Sequence, residues 1–343
     1  MRIAGLSQSP LPFDMFALAA DADVARRQEK LTSLYHRGQA LAWDGQKVLA
    51  ELLHKHGGIK LGAEQRQAVG YIIQVLMWGE LAAWKIASQL ADSFVPLAPK
   101  LAATSQAHDE ARHFYVLHDY LRVLGHTPQP LDRRTRVLID GVLFTDDPLL
   151  KVMGMQLMIE ALALTIFQAI RESQAEPVLC ELLLYFEKDE ARHVGLGLQY
   201  LPTQLATLSR WKERRMIAFQ VQLLAAALLE LKAMEPHMRV LGVDPRQVYL
   251  LGTTKQALVF EMLWKEQGQA DPAEESLASR LLSATGELLF PEPKPGQSPL
   301  SRYYQAARLA LQTLRRGMPD NVPASSIDPE GDARLPTSAV WRA

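Results

Sequence analysis

The sequence of 343 residues predicts an all-α protein, with four long helices arranged as two hairpins in one bundle and additional helices before and after them. Three observations carry that expectation. Apolar residues recur at spacings of three and four, as in Ile73, Leu76, Met77, Ala83, Trp84, Ala87 and Ala91, the stripe of a helix that buries one face. No segment alternates with the period of a strand. The third observation is a repeat. Asp109-Glu110-Ala111-Arg112-His113 recurs letter for letter, eighty residues later, as Asp189-Glu190-Ala191-Arg192-His193. Thirty residues before Glu110 stands Glu80, and thirty before Glu190 stands Glu160, each inside an apolar helical run.

The chain breaks midway across each thirty-residue interval, at Pro96 and Pro99 in the first and at Ser173–Pro177 in the second. Proline lacks the N–H and fixes φ, so it ends or starts a helix. About fifteen residues out and fifteen back, at ~1.5 Å each, return the chain to the same height. Glu80 is therefore expected to face Glu110, and Glu160 to face Glu190.

In order, residues 1–20 read as irregular and residues 24–57 as one helix stopped by Gly57 and Gly58. Gln65–Val95 and Pro99–Leu124 form the first hairpin, closed by Gly125, Pro128 and Pro130. A short helix over about 132–142, with Arg133, Arg134 and Arg136 solvated, lies in the crossover between the hairpins. Asp146 or Asp147 caps the third long helix, which runs to about Ser173. The fourth spans Pro177–Tyr200 and is closed by Pro202. A further helix over 203–235 comes next, strongly apolar at Leu223–Leu229, then weaker ones near 246–266, 272–289 and 299–316. The tail, 318–343, is rich in Pro, Asp, Ser and Gly and reads as disordered. Residues 1–317 then form one helical domain, with a four-helix core at about 65–200 and a C-terminal extension at about 203–317.

A net charge of −1 gives no reason to expect nucleic acid or an anionic membrane as partner. The lone cysteine, Cys180, excludes an intrachain disulfide, reads as a small core residue, and fits a reducing cytoplasm. Ile3–Leu6 is too short for the apolar region of a signal peptide, and Pro10, Pro12 and Asp14 interrupt the next stretch of chain. Val152–Ile170 approaches the length of a membrane span. It carries Gln156, Glu160, Thr165 and Gln168, so a buried helix is expected rather than a span.

Glu-x-x-His at i, i+3 puts a carboxylate and an imidazole on one helix face. Glu80 and Glu160 sit in apolar stripes, where an unpaired carboxylate is costly. One such glutamate would ordinarily be paired with an arginine. Two in a doubled pattern point to two equivalent metal-ligand triplets, Glu80/Glu110/His113 and Glu160/Glu190/His193. Hard carboxylate oxygens with two imidazoles suit iron or manganese, and no thiolates are placed for a structural zinc. Bridging carboxylates would hold two metals ~3.5–4 Å apart.

Over residues 65–200 the pattern resembles the ferritin-like carboxylate-bridged di-iron family, in which two helices supply one Glu each and two others a Glu-x-x-His each. The Asp-Glu-Ala-Arg-His wording is similar to that of the bacterial multicomponent monooxygenases and the soluble acyl-carrier-protein desaturases. The spacing from Glu80 to Asp109-Glu110 resembles the arylamine N-oxygenases. The resemblance implies a ferritin-like bundle, two iron ions with Mn/Fe as an option, and O₂ as co-substrate. It also implies that Asp189 orients His113 and Asp109 orients His193, with Arg112 and Arg192 neutralising the aspartates. A surface Asp–Arg pair is the bland alternative. Trp43-Asp44 is either a packed ring beside a surface acid or part of an electron path, as in ribonucleotide reductase small subunits.

None of these subfamilies is matched fully. The position of a radical tyrosine holds Leu117, with Tyr115 two residues away. The position of an oxygen-handling threonine holds Leu164, with Thr165 next to it. An extra ligand histidine would fall at Phe186. Glu187 is a seventh ligand, a proton relay, or a surface ion-pair partner of Lys188 or Arg192. His54, His108 and His118 have no partner spacing and read as surface histidines. Met153, Met155, Met158, Leu162 and Phe167 would line an apolar pocket or simply pack the core.

The resemblance implies an O₂-dependent oxygenase or oxidase acting on a small organic substrate. The alternatives are an iron-oxidising or iron-storing protein and a radical-generating subunit. No flavin, nicotinamide or Fe–S motif is present, so electrons are expected from a separate reductase or ferredoxin. A homodimer is allowed.

Overall fold

The computed structural model describes residues 28–266, 277–292 and 294–316. Residues 1–20, the tail 318–343 and the first residues of the helices expected at 24–57 and 272–289 fall partly or wholly outside that range. The described residues form α1 (Glu29–Ala40), α2 (Gly45–His56), α3 (Ala63–Ser93), α4 (Leu97–Leu124), α5 (Arg133–Leu143), α6 (Pro148–Ser173), α7 (Pro177–Leu205), α8 (Arg210–Val240), α9 (Pro245–Glu266), α10 (Leu277–Leu289) and α11 (Pro299–Arg316). The fold is all-α.

The expected single helix over 24–57 is two helices. The chain breaks at Leu41–Asp44, and Asp44 accepts from the backbone N–H of Lys47 to cap α2. Pro202 lies inside α7 instead of closing it. It stands in the last turn, where a missing donor costs one bond and interrupts nothing beyond. The next helix starts at Arg210, capped by Ser209, and runs through Pro236 to Val240.

The hairpin turns are tied by side chains. Lys100 Nζ donates to the carbonyls of Ala91 and Asp92 at the end of α3, satisfying acceptors that a helix end leaves open. Glu176 caps α7 through the N–H groups of Val178 and Leu179 and accepts from the Tyr120 hydroxyl of α4 at 3.0 Å. In the crossover, Asp132 caps α5 and Asp147 caps α6.

Two apolar cores lie on either side of a charged layer. One holds Ile73, Leu117, Tyr120, Phe167, Leu183 and Phe186, and the other Ile86, Leu90, Ala103, Met155, Leu157, Val194 and Leu198. α3 and α7 pass from the first core to the second, while α4 and α6 pass the opposite way. Between the cores all four helices contribute glutamate: Glu80, Glu110, Glu160 and Glu190. The C-terminal helices pack on this bundle, α8 against α3 and α9 against α6. Among the described residues two helices, α6 and α8, are long and apolar enough to cross a membrane. The apolar window of α6 is 78% buried inside the molecule, as a core helix is, and that of α8 is 22% buried.

Candidate metal centre

α6 is not uniformly α-helical. Met153–Ile159 is a π-helix, and the N–H of Glu160 reaches back to the carbonyl of Met155, five residues earlier. A π turn advances the register by one residue and is frequent at functional sites; here it immediately precedes Glu160. α9 holds the carbonyls on either side, with Gln256 donating to Leu157 and Lys255 to Leu164.

The structure brings Glu80, Glu110, His113, Glu160, Glu190 and His193 together, none more than 5% exposed. Both imidazoles turn Nδ1 inward. His113 Nδ1 lies 3.5 Å from Glu80, 3.3 Å from Glu110 Oε2 and 3.2 Å from Glu190 Oε1. His193 Nδ1 lies 3.7 Å from Glu160, 3.1 Å from Glu110 Oε1 and 3.0 Å from Glu190 Oε2. Glu110 and Glu190 thus offer one oxygen to each half of the centre, and Glu80 and Glu160 belong to one half each. Three buried atoms of these six side chains, His113 Nδ1, Glu110 Oε2 and Glu190 Oε1, have no hydrogen-bond partner. All three belong to the same half. Buried polar atoms are ordinarily paired, so this donor set fits a cation.

The outer nitrogens meet the opposite aspartates. His113 Nε2 lies 3.0 Å from Asp189 Oδ2, and His193 Nε2 lies 3.4 Å from Asp109 Oδ2. Arg112 bridges Asp109 at 2.5 Å and Asp189 at 2.9 Å, and Arg192 bridges the same pair at 2.9 and 2.7 Å. The surface Asp–Arg alternative is excluded for Asp109, Asp189 and Arg192, which are all buried. Trp43 does not pair with Asp44. Its indole N–H donates to Asp189 Oδ2 at 2.8 Å, and its ring lies under the Arg112 guanidinium.

Burial pushes the Glu80 and Glu160 carboxyls well above the ordinary carboxylate range, and the charges of Glu190 and Glu110 push them further. Burial works the same way on Glu110, but the His193 charge and the closeness of both imidazoles hold it well below that range. Glu190 is also held low, chiefly by His193, against burial and the Glu110 charge. Burial opposes a charged imidazole; even so, the surrounding carboxylates hold His113 and His193 well above the ordinary histidine value. Without metal the surroundings thus favour the protonated forms of Glu80, Glu160, His113 and His193 and the ionised forms of Glu110 and Glu190.

Two residues at the centre carry no signal in the repeat. Gln106 Nε2 donates to Glu110 Oε1 at 2.9 Å and to Glu160 Oε1 at 2.8 Å, and Gln156 Nε2 donates to Gln106 Oε1 at 2.9 Å. Both amides are buried. A glutamine one turn before each ligand, at 106 before Glu110 and 156 before Glu160, is the only sequence clue.

The other candidates lie elsewhere. Glu187 pairs with Arg171 at 3.0 Å, not with Lys188 or Arg192, because α6 packs alongside α7 there. Thr165 bonds back to the carbonyl of Ala161. Tyr115 is 54% exposed, while Leu117 is buried in the first core. Phe186 stacks on His113 with ring centroids 4.2 Å apart. His54, His108 and His118 are exposed. Met153, Met155, Met158 and Phe167 are core residues, and Leu162 packs against both cores.

No protein-family model matches the sequence, and no curated protein does. Solved structures do. A Synechococcus protein with aldehyde deformylating oxidase activity is 17% identical, matched over 65% of this chain and 98% of its own, with a TM-score of 0.53. Two variants of an R2-like ligand-binding oxidase are each 16% identical and matched over 68% of this chain. One carries an Mn/Fe cofactor and is covered over 93% with a TM-score of 0.53; the other carries Fe/Fe and is covered over 92% with a TM-score of 0.51. This likeness, with the four-helix layer of carboxylates and histidines, makes the chain a ferritin-like helical bundle whose buried centre is able to bind metal.

Proposed function

We propose that the protein is an O₂-dependent oxidoreductase. It holds two metal ions, iron at both positions or manganese with iron, between Glu80, Glu110, His113, Glu160, Glu190 and His193, and oxidises a small organic substrate. The observation that carries this reading is the set of partnerless buried atoms, His113 Nδ1, Glu110 Oε2 and Glu190 Oε1, in a layer with two-fold repeated ligands. The oxidase activities and the Mn/Fe and Fe/Fe cofactors named for structural neighbours support it.

Such ions, held by hard oxygens and imidazoles, supply redox chemistry toward O₂. The chain does the rest. Asp189 and Asp109 accept from the histidine Nε2–H, which fixes the tautomer and leaves the Nδ1 lone pair for metal. Arg112 and Arg192 bridge the two aspartates, and the opposite histidines together with Arg192 hold both carboxyls below their ordinary range. The two apolar cores exclude bulk water from the layer. Trp43 joins Asp189 and His113 in a hydrogen-bonded line from a partly exposed ring to the centre, a route for electrons from an external reductase or ferredoxin. The finer reading is a monooxygenase, N-oxygenase or desaturase acting in the cytoplasm without a membrane span, as a monomer or homodimer.

Anaerobic loading with Fe²⁺ followed by O₂ tests the reading. Two iron ions per chain and turnover of an organic substrate are expected. Many irons per chain would make it a storage protein, a stable protein radical would make it a radical-generating subunit, and retention of zinc in preference to iron would overturn the dinuclear redox centre.

A further inference from the structure

The eighty-residue repeat makes the two halves of the centre comparable position by position, and among their differences is the layer one turn before the glutamates. Gln106 corresponds to Phe186, and Gln156 corresponds to Leu76. On the first-core side of the glutamates, Phe186 stacks on His113 and Leu76 is buried apolar surface. On the second-core side the equivalent positions hold a hydrogen-bonded pair of buried amides. A carboxylate that ligates a metal only accepts hydrogen bonds, so Gln106 must present its NH₂ to Glu110 and Glu160. That leaves Gln106 Oε1 to accept from Gln156 and leaves Gln156 Oε1 with no partner. Small side chains make room for this layer: a Cβ on Gly197 would stand 2.9 Å from the Gln156 Cβ.

We propose that the two metal sites are inequivalent, and that Gln106, oriented by Gln156, is the positioning residue that makes them so. This rests on the metal-centre reading above. Gln106 ties Glu160, which serves only one half, to Glu110, which serves both. It holds the Glu160 carboxyl group in place before metal arrives and occupies one lone pair of Glu160 Oε1. Glu80 has no such amide; its neighbour is His113 itself at 3.5 Å. The site of Glu160 and His193 is therefore preorganised by an amide, whereas the site of Glu80 and His113 is closed by an aromatic ring.

The test is an Mn²⁺ titration of the full chain, with free Mn²⁺ followed by its EPR signal. Wild type is expected to bind two Mn²⁺ in two phases of different affinity. Gln106→Leu keeps the bulk and removes both donors. It should weaken one phase about 10–100-fold, the usual effect of losing a partner of a ligand, and leave the other phase within about twofold. Gln156→Leu, which touches no ligand and covers the case in which Gln106→Leu does not fold, should weaken the same phase by a smaller factor. Loss of affinity in both phases alike would show a merely structural role and overturn the proposal, as would no change in either variant. Two indistinguishable phases in wild type would also overturn it. Failure of wild type to take up two ions would instead overturn the metal-centre reading beneath it.

Discussion

Glu80→Gln separates a metal ligand from a structural ion-pair partner. Glu80 is 5% exposed, and its carboxylate lies 3.5 Å from His113 Nδ1. Burial, then the charges of Glu190 and Glu110, raise its pKa well above the ordinary value. The stabilisation linked to a raised pKa is complete below the unfolded value of about 4.3 and is lost as pH rises through the folded one. Glutamine copies the protonated shape and cannot ionise. The metal-free variant should therefore melt at or above the wild-type temperature at neutral pH, with the advantage growing as pH rises. With metal the order reverses. One site at a free-metal concentration a hundred times Kd adds about 2.7 kcal/mol, so two sites add roughly 5. At roughly 2–3 °C per kcal/mol for a large domain, wild type should gain about 10–15 °C and the variant about half. Thermal melts with and without Mn²⁺, or Fe²⁺ under anaerobic conditions, measure both quantities. A metal-free Glu80→Gln that melts many degrees below wild type would refute the reasoning, since Glu80 would then be holding a protonated His113 for stability.

Asp189→Asn should leave the fold intact and weaken metal binding about 10–100-fold. Asp109→Asn should have a smaller effect, because its contact to His193 is 3.4 Å against 3.0 Å for Asp189 and His113, and Asp189 also anchors Trp43; equal effects in a metal titration would contradict the geometry. Metal loading should release protons, since Glu80, Glu160, His113 and His193 all hold theirs above their ordinary values and must give them up to ligate. About two protons per metal are expected near neutral pH, read from the dependence of calorimetric heats on buffer ionisation enthalpy; no proton release would refute the charge assignment. By the same sign, the metal-free protein should lose stability as pH rises above neutrality, while the loaded protein should not.

What the sequence determined by itself is what depends on near neighbours along a helix. The hairpins come from prolines midway between glutamates thirty residues apart, because a helix has a fixed rise and a proline interrupts it. Glu80 and Glu160 stand out because each interrupts an apolar stripe, and the Glu-x-x-His pairs because i and i+3 share a face. The cross-pairing of Asp109 and Asp189 with the opposite histidines came through family resemblance, since nothing local indicates it. The tertiary structure alone decided the rest. The π segment before Glu160 has no side-chain signature, since i−5 and i−4 bonds use the same carbonyls and amides. Gln106 and Gln156 read as ordinary helix residues until α4 and α6 are laid parallel and the amides meet. Trp43 looks like the partner of Asp44, its chain neighbour, but bonds to Asp189, 146 residues away. That Glu110 and Glu190 serve both halves, while Glu80 and Glu160 serve one each, is set by where four helices place their carboxylates in three dimensions, which spacing along one helix does not specify.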